Sequence, residues 1–504
     1  MDGTMNNATD QGKKKIVIVG AGPGGLTAAM VLARRGFDVE VFEKAPVVGG
    51  RNAELAVGDF RFDLGPTFLM MKFVLDRAFE EAGEKSEDYL EFKRLDPMYR
   101  LLFPEFSMDV TGDREEMKAQ IARCFPGEEA GLDKFFDREG ERFRHIYACL
   151  EKDYSSLTDF LKPTFLRAVR YIPFGRTLFQ YLGNYFRSER LRLSFTFQSK
   201  YLGMSPWECP GFFVILPYIE HAFGIFHVQG GLSEISRAMA KVAEKHGARI
   251  HLNTPVRELV IEQGAVKGVV LEDGRKILAD ETVINADFAH AMRTLVPAGV
   301  LKKYAPAKLE RKKYSCSTFM LYLGLNKVFD DLPHHNIVFA RDYHRNTGDI
   351  FRNLKLSDDI SFYIRNSSVT DPRVAPAGKS GIYVLVPVPN NSSGIDWEKE
   401  KPRYRELVLD AIAERTKLGD LRPHIEVERV ITPADWDAGG VYLGATFNLA
   451  HSMNQMLYFR PHNKFEELDR CYLVGGGTHP GSGLPTIYQS GMIAAHLIGR
   501  KYGQ

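Results

Sequence analysis

KKKIVIVGAGPGGLTAAMVLARRGFDVEVFEK, residues 13–44, begins as an apolar run from Ile16 to Val19 and breaks at a cluster of glycines. It resumes as a helix with Ala28, Ala29 and Leu32 on one face, and a second apolar run, Val39 to Phe42, ends on Glu43. Gly20, Gly22 and Gly25 stand in the order GxGxxG between first strand and helix, with Gly24 inside the same turn. Gly20 allows the sharp turn, Gly22 lets backbone approach a pyrophosphate at the helix N-terminus, and Gly25 brings helix and strand together. Glu43, followed by Lys44, is placed to accept from ribose hydroxyls. The basic start and apolar middle also match a secretory signal peptide. The glycines exclude it, because GAGPGG would break the apolar helical region such a peptide needs. Residues 1–12 are expected to form a polar, disordered leader.

The residues after Glu43 separate FAD from NAD. Gly49, Gly50 and Arg51 come a few residues on, and FRFDLGPTFLM then gives a second turn at Gly65, Pro66 and Thr67. A simple NAD dehydrogenase has no need of the GGR loop. The larger flavin needs a second set of close backbone contacts and a positive charge near its phosphates. No further GxGxxG with a strand before it occurs beyond residue 60, so the one dinucleotide site is assigned to FAD and no tightly held NADPH is expected. Near the end of the chain, GGGTHPGSGLPTIYQSG, residues 475–491, precedes a plain amphipathic helix. Gly476 and Gly483 bare the backbone there, and Leu484-Pro485 start a helix whose remaining first N–H groups point outward, toward something flat or anionic.

The chain has 504 residues, 44% hydrophobic and 26% charged, with a net charge of +2. That balance fits a folded protein with a large core and argues against a general nucleic-acid binder. Cys124, Cys149, Cys209, Cys316 and Cys471 are scattered without CxxC or Cys/His spacing, which reads as reduced thiols and no zinc site. His334-His335 lacks an obvious third ligand, and no metal is assigned. No apolar run is long enough to span a bilayer. From Lys162 to Lys200 the basic residues Lys162, Arg167, Arg170, Arg176, Arg187, Arg190, Arg192 and Lys200 face one acid, Glu189. Phe165, Tyr171, Phe174, Phe179, Tyr181, Tyr185 and Phe186 are interleaved with them. This pattern fits an amphipathic surface in the membrane interface; a helical region with a solvated basic face would look the same.

GxGxxG with Glu43, VGGR and DLGPT together resemble flavoproteins of the amine oxidase and phytoene desaturase type. LVGGGTHPGSGLPTIYQSG is similar to the signature of bacterial-type carotenoid desaturases, as are HAFGIFHVQGGLSEISRAM, YLGLNKVFDDLPHHNIVFARDY and ATFNLAHSMNQMLYFRPHN. The resemblance covers nearly the whole chain. It implies an α/β fold: a Rossmann-type FAD-binding domain, a discontinuous substrate domain on a mixed sheet, and a helical membrane-associating region. The expected segments are 13–75, 227–300 and 431–504 for the FAD-binding domain, 76–226 for the helical region and 301–430 for the substrate sheet. In this fold Val256 opens a strand beside the adenine, and Asn285-Ala286 closes one near the pyrophosphate.

The implied reaction is desaturation of a linear carotenoid precursor, phytoene or a dehydrosqualene-like C30 chain, by hydride transfer to flavin and loss of a neighbouring proton. The substrate would be drawn from the bilayer by a cytoplasmic protein lying peripherally on the inner face of the cell membrane. A quinone or oxygen would take the electrons. The run CPGFFVILPYIEHAFGIF is a candidate tunnel wall, and the N-terminus of the helix at Pro485 would face the flavin N1 and C2=O, where reduction places negative charge. Glu220, a carboxylate among apolar residues, and His479, beside the expected ring, are the candidate proton acceptors. A carotenoid isomerase or terminal oxidase on the same scaffold is the enzymatic alternative, and an isoprenoid-binding Rab escort protein the non-enzymatic one.

Overall fold

A computed structural model describes residues 12–504. Apart from Gly12, the expected leader lies outside the described residues. Five parallel strands form the first sheet, in the order Cys471–Leu473, Glu281–Ile284, Lys15–Val19, Asp38–Phe42 and Arg249–His251. Alternate side chains of Lys15–Val19 enter different cores. Ile16 and Ile18 pack under the helices Pro23–Arg34, Ser233–Lys245 and Leu484–Lys501. Val17 and Val19 meet Leu259, Val266 and Val269 of the antiparallel strands Val256–Glu262 and Ala265–Leu271. A strand covered on both faces has to be apolar throughout, which is why IVIV shows no polar alternation. Each fully buried Ile or Val contributes about 1.5–3 kcal/mol of burial free energy.

The second sheet has seven strands, in the order Ile425–Ile431, Ser317–Leu325, Ser380–Val388, Phe362–Asn366, His335–Val338, Tyr99–Leu102 and Ser107–Val110. It is mixed, because His335–Val338 and Tyr99–Leu102 run parallel while the other pairs are antiparallel. Phe319, Leu321 and Leu323 face the helix Trp397–Arg415. Met320 and Tyr322 face the other way, onto Phe60 and Phe62 of the hairpin that leads into Gly65.

Helices, most of them short, fill residues 114–223, and here the sequence expectation needs correcting. Of the aromatic residues between the basic ones, Tyr181, Tyr185 and Phe186 are buried. Tyr185 donates to buried Glu139, whose other oxygen accepts from Arg142. Lys200, counted with the basic stretch, is also buried. The exposed apolar side chains are instead Leu157, Leu161, Leu166 and Phe174, interspersed with exposed Lys162, Arg167, Arg170 and Arg176. The 457–459 turn lies beside them, with Tyr458 near Phe160 and an exposed Phe459. Among the described residues no helix is long and apolar enough to cross a membrane.

Candidate functional site

The glycine turns singled out in the sequence meet in space. Gly49 N donates to Ala21 O at 2.8 Å, which lays the GGR loop on the GxGxxG turn. A Cβ on Gly65 would stand 2.6 Å from the Arg51 carbonyl oxygen, and one on Gly24 would stand 3.2 Å from Gly475 N. Segments 20–25, 49–51, 65–67 and 475–483 therefore form one continuous backbone surface. Tyrosines of the large sheet hold its middle: Tyr383 donates to Gly65 O (2.9 Å) and Tyr363 to Thr67 Oγ1 (2.9 Å), with Pro66 between.

At the start of Pro23–Arg34 the amides of Gly22, Gly24 and Gly25 are buried and have no acceptor among the described residues. The hollow of the turn holds Asn285, whose Nδ2 donates to Gly20 O at 3.1 Å; a Cβ on Gly22 would stand 2.8 Å from that nitrogen. Asn285 thus explains part of the glycine requirement that the sequence reading gave to a pyrophosphate alone. Glu43 is buried, with Oε2 accepting from Ala21 N (2.8 Å) and Oε1 from Ala45 N (2.9 Å). Its carbonyl accepts from Thr254 N, two residues before Val256, whose half-buried side chain opens the strand paired with Leu271. Lys44 departs from expectation: it is exposed and donates to Gly439 O at 2.8 Å, away from the glycines.

Gly50 is followed by Arg51, which donates to Thr446 O at 2.8 Å. With its amide oriented to satisfy both neighbours, Asn448 donates to Asp287 Oδ2 (2.7 Å) and accepts from Arg51 (3.2 Å). Burial raises the Asp287 carboxyl above the ordinary range, against the pull of the Arg51 charge. On the C-terminal side, Gly483 has φ +115°, and the Leu484 and Thr486 amides at the start of Leu484–Lys501 have no acceptor among the described residues. Gly476 O accepts from Ser482 and from the buried Arg460. Asp287, Asn448 and Arg460 were not picked out from sequence, although Asp287, an N-cap two residues past Asn285, carried a faint signal.

The two candidate proton acceptors differ. Glu220, in Ile215–Phe223, is fully buried; Oε2 accepts from Tyr99 (2.9 Å) and Gln198 (2.6 Å), while Oε1 has no partner among the described residues. Burial pushes its carboxyl up to about 8. Tyr99 is edge-on to Phe68, the residue after Thr67, so Glu220 connects through two aromatic rings to the turn. His479 is held in the turn, but its Nε2 bonds Lys152 O at 2.8 Å and its ring meets Tyr154, so it is directed toward the helical cover. Burial pushes it down to about 4.

Two helix N-termini with unused amides, a buried acid at the end of the second strand and an arginine between them fit an extended dinucleotide with two phosphates. Residues 23–499 match the flavin-containing amine oxidoreductases. The chain belongs to this family. Within it, this is a carotenoid desaturase of the bacterial type and an FAD-dependent oxidoreductase. It is 55% identical over 490 residues to the 4,4'-diapophytoene desaturase (4,4'-diapolycopene-forming) of Methylomonas sp, covering 97% of this chain and 96% of that one. It is 39% identical to the all-trans-zeta-carotene desaturase of Myxococcus xanthus, covering 97% and 94%. Among solved structures, an oxidoreductase from Methanosarcina mazei superposes on the desaturase with a TM-score of 0.63 at 18% identity, covering 95% and 99%. Rab GDI of Plasmodium falciparum gives 0.54 at 14%, covering 98% and 99%. At those identities the likeness is one of fold.

Proposed function

We propose that the desaturase acts on a linear C30 isoprenoid hydrocarbon of the diapophytoene type, with phytoene as the second candidate. The observation that carries this choice is the 55% identity to a diapophytoene desaturase, against 38% to the zeta-carotene-forming phytoene desaturase of Myxococcus xanthus. In this reading segments 13–75, 227–300 and 431–504 hold the cofactor, 301–430 supplies the substrate sheet and 76–226 the membrane-facing cover. The amides of Gly22, Gly24 and Gly25 with Arg51 hold the pyrophosphate, and free lone pairs of Glu43 accept from the ribose. The start of Leu484–Lys501 seats the ring.

When bound, FAD supplies the hydride-accepting chemistry that a hydrocarbon without polar handles requires. The protein's own part is to exclude water, orient the chain and take a proton. Glu220 Oε1 has no partner among the described residues, is buried and lies among aromatic rings, which supports it as the acceptor; His479, turned to Lys152, serves the cover. The exposed Leu157, Leu161, Leu166 and Phe174 with their basic neighbours support contact with an anionic bilayer, from which the substrate enters and where a quinone could take the electrons; oxygen is the other candidate acceptor. The test is purified, FAD-loaded enzyme with liposomes carrying diapophytoene or phytoene, followed by pigment analysis. Faster conversion of the C30 chain is expected. Conversion of phytoene alone would overturn the chain-length assignment, and isomerised or oxygenated products without new double bonds would favour the alternative activities.

A further inference from the structure

Arg460 is completely buried, in the turn FRPHN that precedes the last strand. A buried guanidinium ordinarily finds a carboxylate. This one forms no ion pair among the described residues and donates to four main-chain carbonyls: Nε to Thr478 O (2.9 Å), Nη1 to Gln455 O (3.3 Å), and Nη2 to Gly476 O (2.6 Å) and Leu449 O (3.4 Å). Two of the four lie in the glycine turn 475–483. The peptide unit is planar, so with the Gly476 carbonyl turned toward Arg460 the Gly477 N–H points to the opposite side. That amide has no acceptor among the described residues.

The surroundings do not cancel the charge. His451 accepts from Ser482 N at 3.1 Å and His479 stands on the other flank; burial, helped by the Arg460 charge, holds both imidazoles neutral. Glu466 is engaged by Lys303 and by the Tyr304 hydroxyl. Burial lowers the Arg460 guanidinium to about 9, which leaves it charged near neutral pH, so it stands as a positive charge behind the turn, with an idle N–H in front of it.

We propose that Arg460 is a positioning residue that sets the electron affinity of the bound flavin. Its charge polarises the Gly476–Gly477 peptide toward the place where negative charge arrives on reduction. This rests on the reading that the turn and the start of Leu484–Lys501 seat the ring. Substrate surrenders a hydride, that is two electrons and one proton, so a net negative charge remains on the cofactor unless a second proton is taken up. A fixed positive end nearby favours that charged form.

The experiment uses FAD-loaded wild type, Arg460→Gln and Arg460→Lys, read by flavin content, sulfite affinity and two-electron midpoint potential. Sulfite adds to the flavin and leaves the same negative charge on the ring without any substrate. Arg460→Gln should keep FAD, bind sulfite at least tenfold more weakly and lose about 30 mV of potential, the equivalent of tenfold for two electrons. Arg460→Lys, which keeps the charge, should stay much closer to wild type. Wild type alone provides a check that needs no variant: its potential should fall by about 30 mV per pH unit near neutral pH, one proton per two electrons. A wild-type slope of about 59 mV per pH unit would show that no anion forms, and an FAD-loaded Arg460→Gln with wild-type sulfite affinity would reduce Arg460 to a structural clamp; either overturns the proposal. Failure of the wild-type chain to hold FAD at all would instead overturn the reading of the turn as a flavin seat.

Discussion

Replacing Glu220 by glutamine removes an ionisable proton without changing shape, and the structure sets the size of the effect. Burial moves the carboxyl from an ordinary 4.5 to about 8, with Tyr99 and Gln198 opposing it only in part. The folded state therefore keeps the proton where the unfolded chain has lost it. Stability from this group is fully present below about pH 4.5, falls as pH rises, and is lost by the time pH passes about 8. At about 1.4 kcal/mol per pH unit, the displacement bounds the loss at about 5 kcal/mol. Glutamine cannot ionise and escapes this loss. In a chain of this length 1 kcal/mol moves the melting temperature by about 1 °C, so relative to wild type Glu220→Gln should gain about 2–5 °C between pH 5 and pH 9. As proton acceptor the group must be ionised, so wild-type turnover should rise with pH through about 8. In Glu220→Gln turnover should fall by about 10²–10⁴ with FAD retained, and that rise should vanish. An identical melting difference at both pH values would show that Glu220 does not titrate as its burial requires, and an unchanged pH profile in the variant would remove it as the acceptor.

Gly22→Val places a branched side chain against Asn285 and the free amides, and should weaken FAD at least tenfold in a fluorescence titration; a yellow, active variant would remove this loop from the site. Glu43→Ala forfeits charge-assisted bonds to Ala21 and Ala45 and, in the proposed reading, one to the ribose, and should weaken FAD by about 1.5–3 kcal/mol, checked by the same titration. Neutralising Arg167, Arg170 and Arg176 together should cost roughly 1 kcal/mol each in co-sedimentation with anionic liposomes. Replacing Leu157, Leu161 and Phe174 by serine should weaken the part of that binding which salt does not screen, with FAD content unchanged in both variants.

The glycine turns were legible because glycine is a direct mark of crowded backbone. Gly24 faces Gly475 N and Gly65 faces the Arg51 carbonyl, and neither position has room for a side chain. The parallel strands were legible from unbroken apolar runs. The direction of the aromatic residues between Lys162 and Lys200 was not, because helices of five to seven residues, such as Leu178–Leu182 and Pro163–Val169, carry too few turns for a face to be read. Tyr181 and Tyr185 looked like interfacial anchors and proved to be partners of Arg142 and Glu139. Asp287, Asn448 and Arg460 escaped for another reason. Asp287 and Asn448 act on Arg51, a distant part of the chain, whereas Arg460 bonds a turn close by in sequence, and FRPHN taken alone looks like an ordinary solvated arginine.

Desaturation of a polyene precursor by hydride passed to a flavin, with the proposed seat between the two helix N-termini, is open to a direct test by anaerobic single turnover. FAD-loaded enzyme is mixed with liposomes carrying diapophytoene while flavin and polyene absorption are followed together. The oxidised-flavin band should bleach as the longer polyene band appears, one double bond per flavin, and Gly22→Val, lacking the cofactor, should show neither. Appearance of the polyene with the flavin band unchanged, or no bleaching with either the C30 chain or phytoene, would contradict hydride transfer to a flavin in this site.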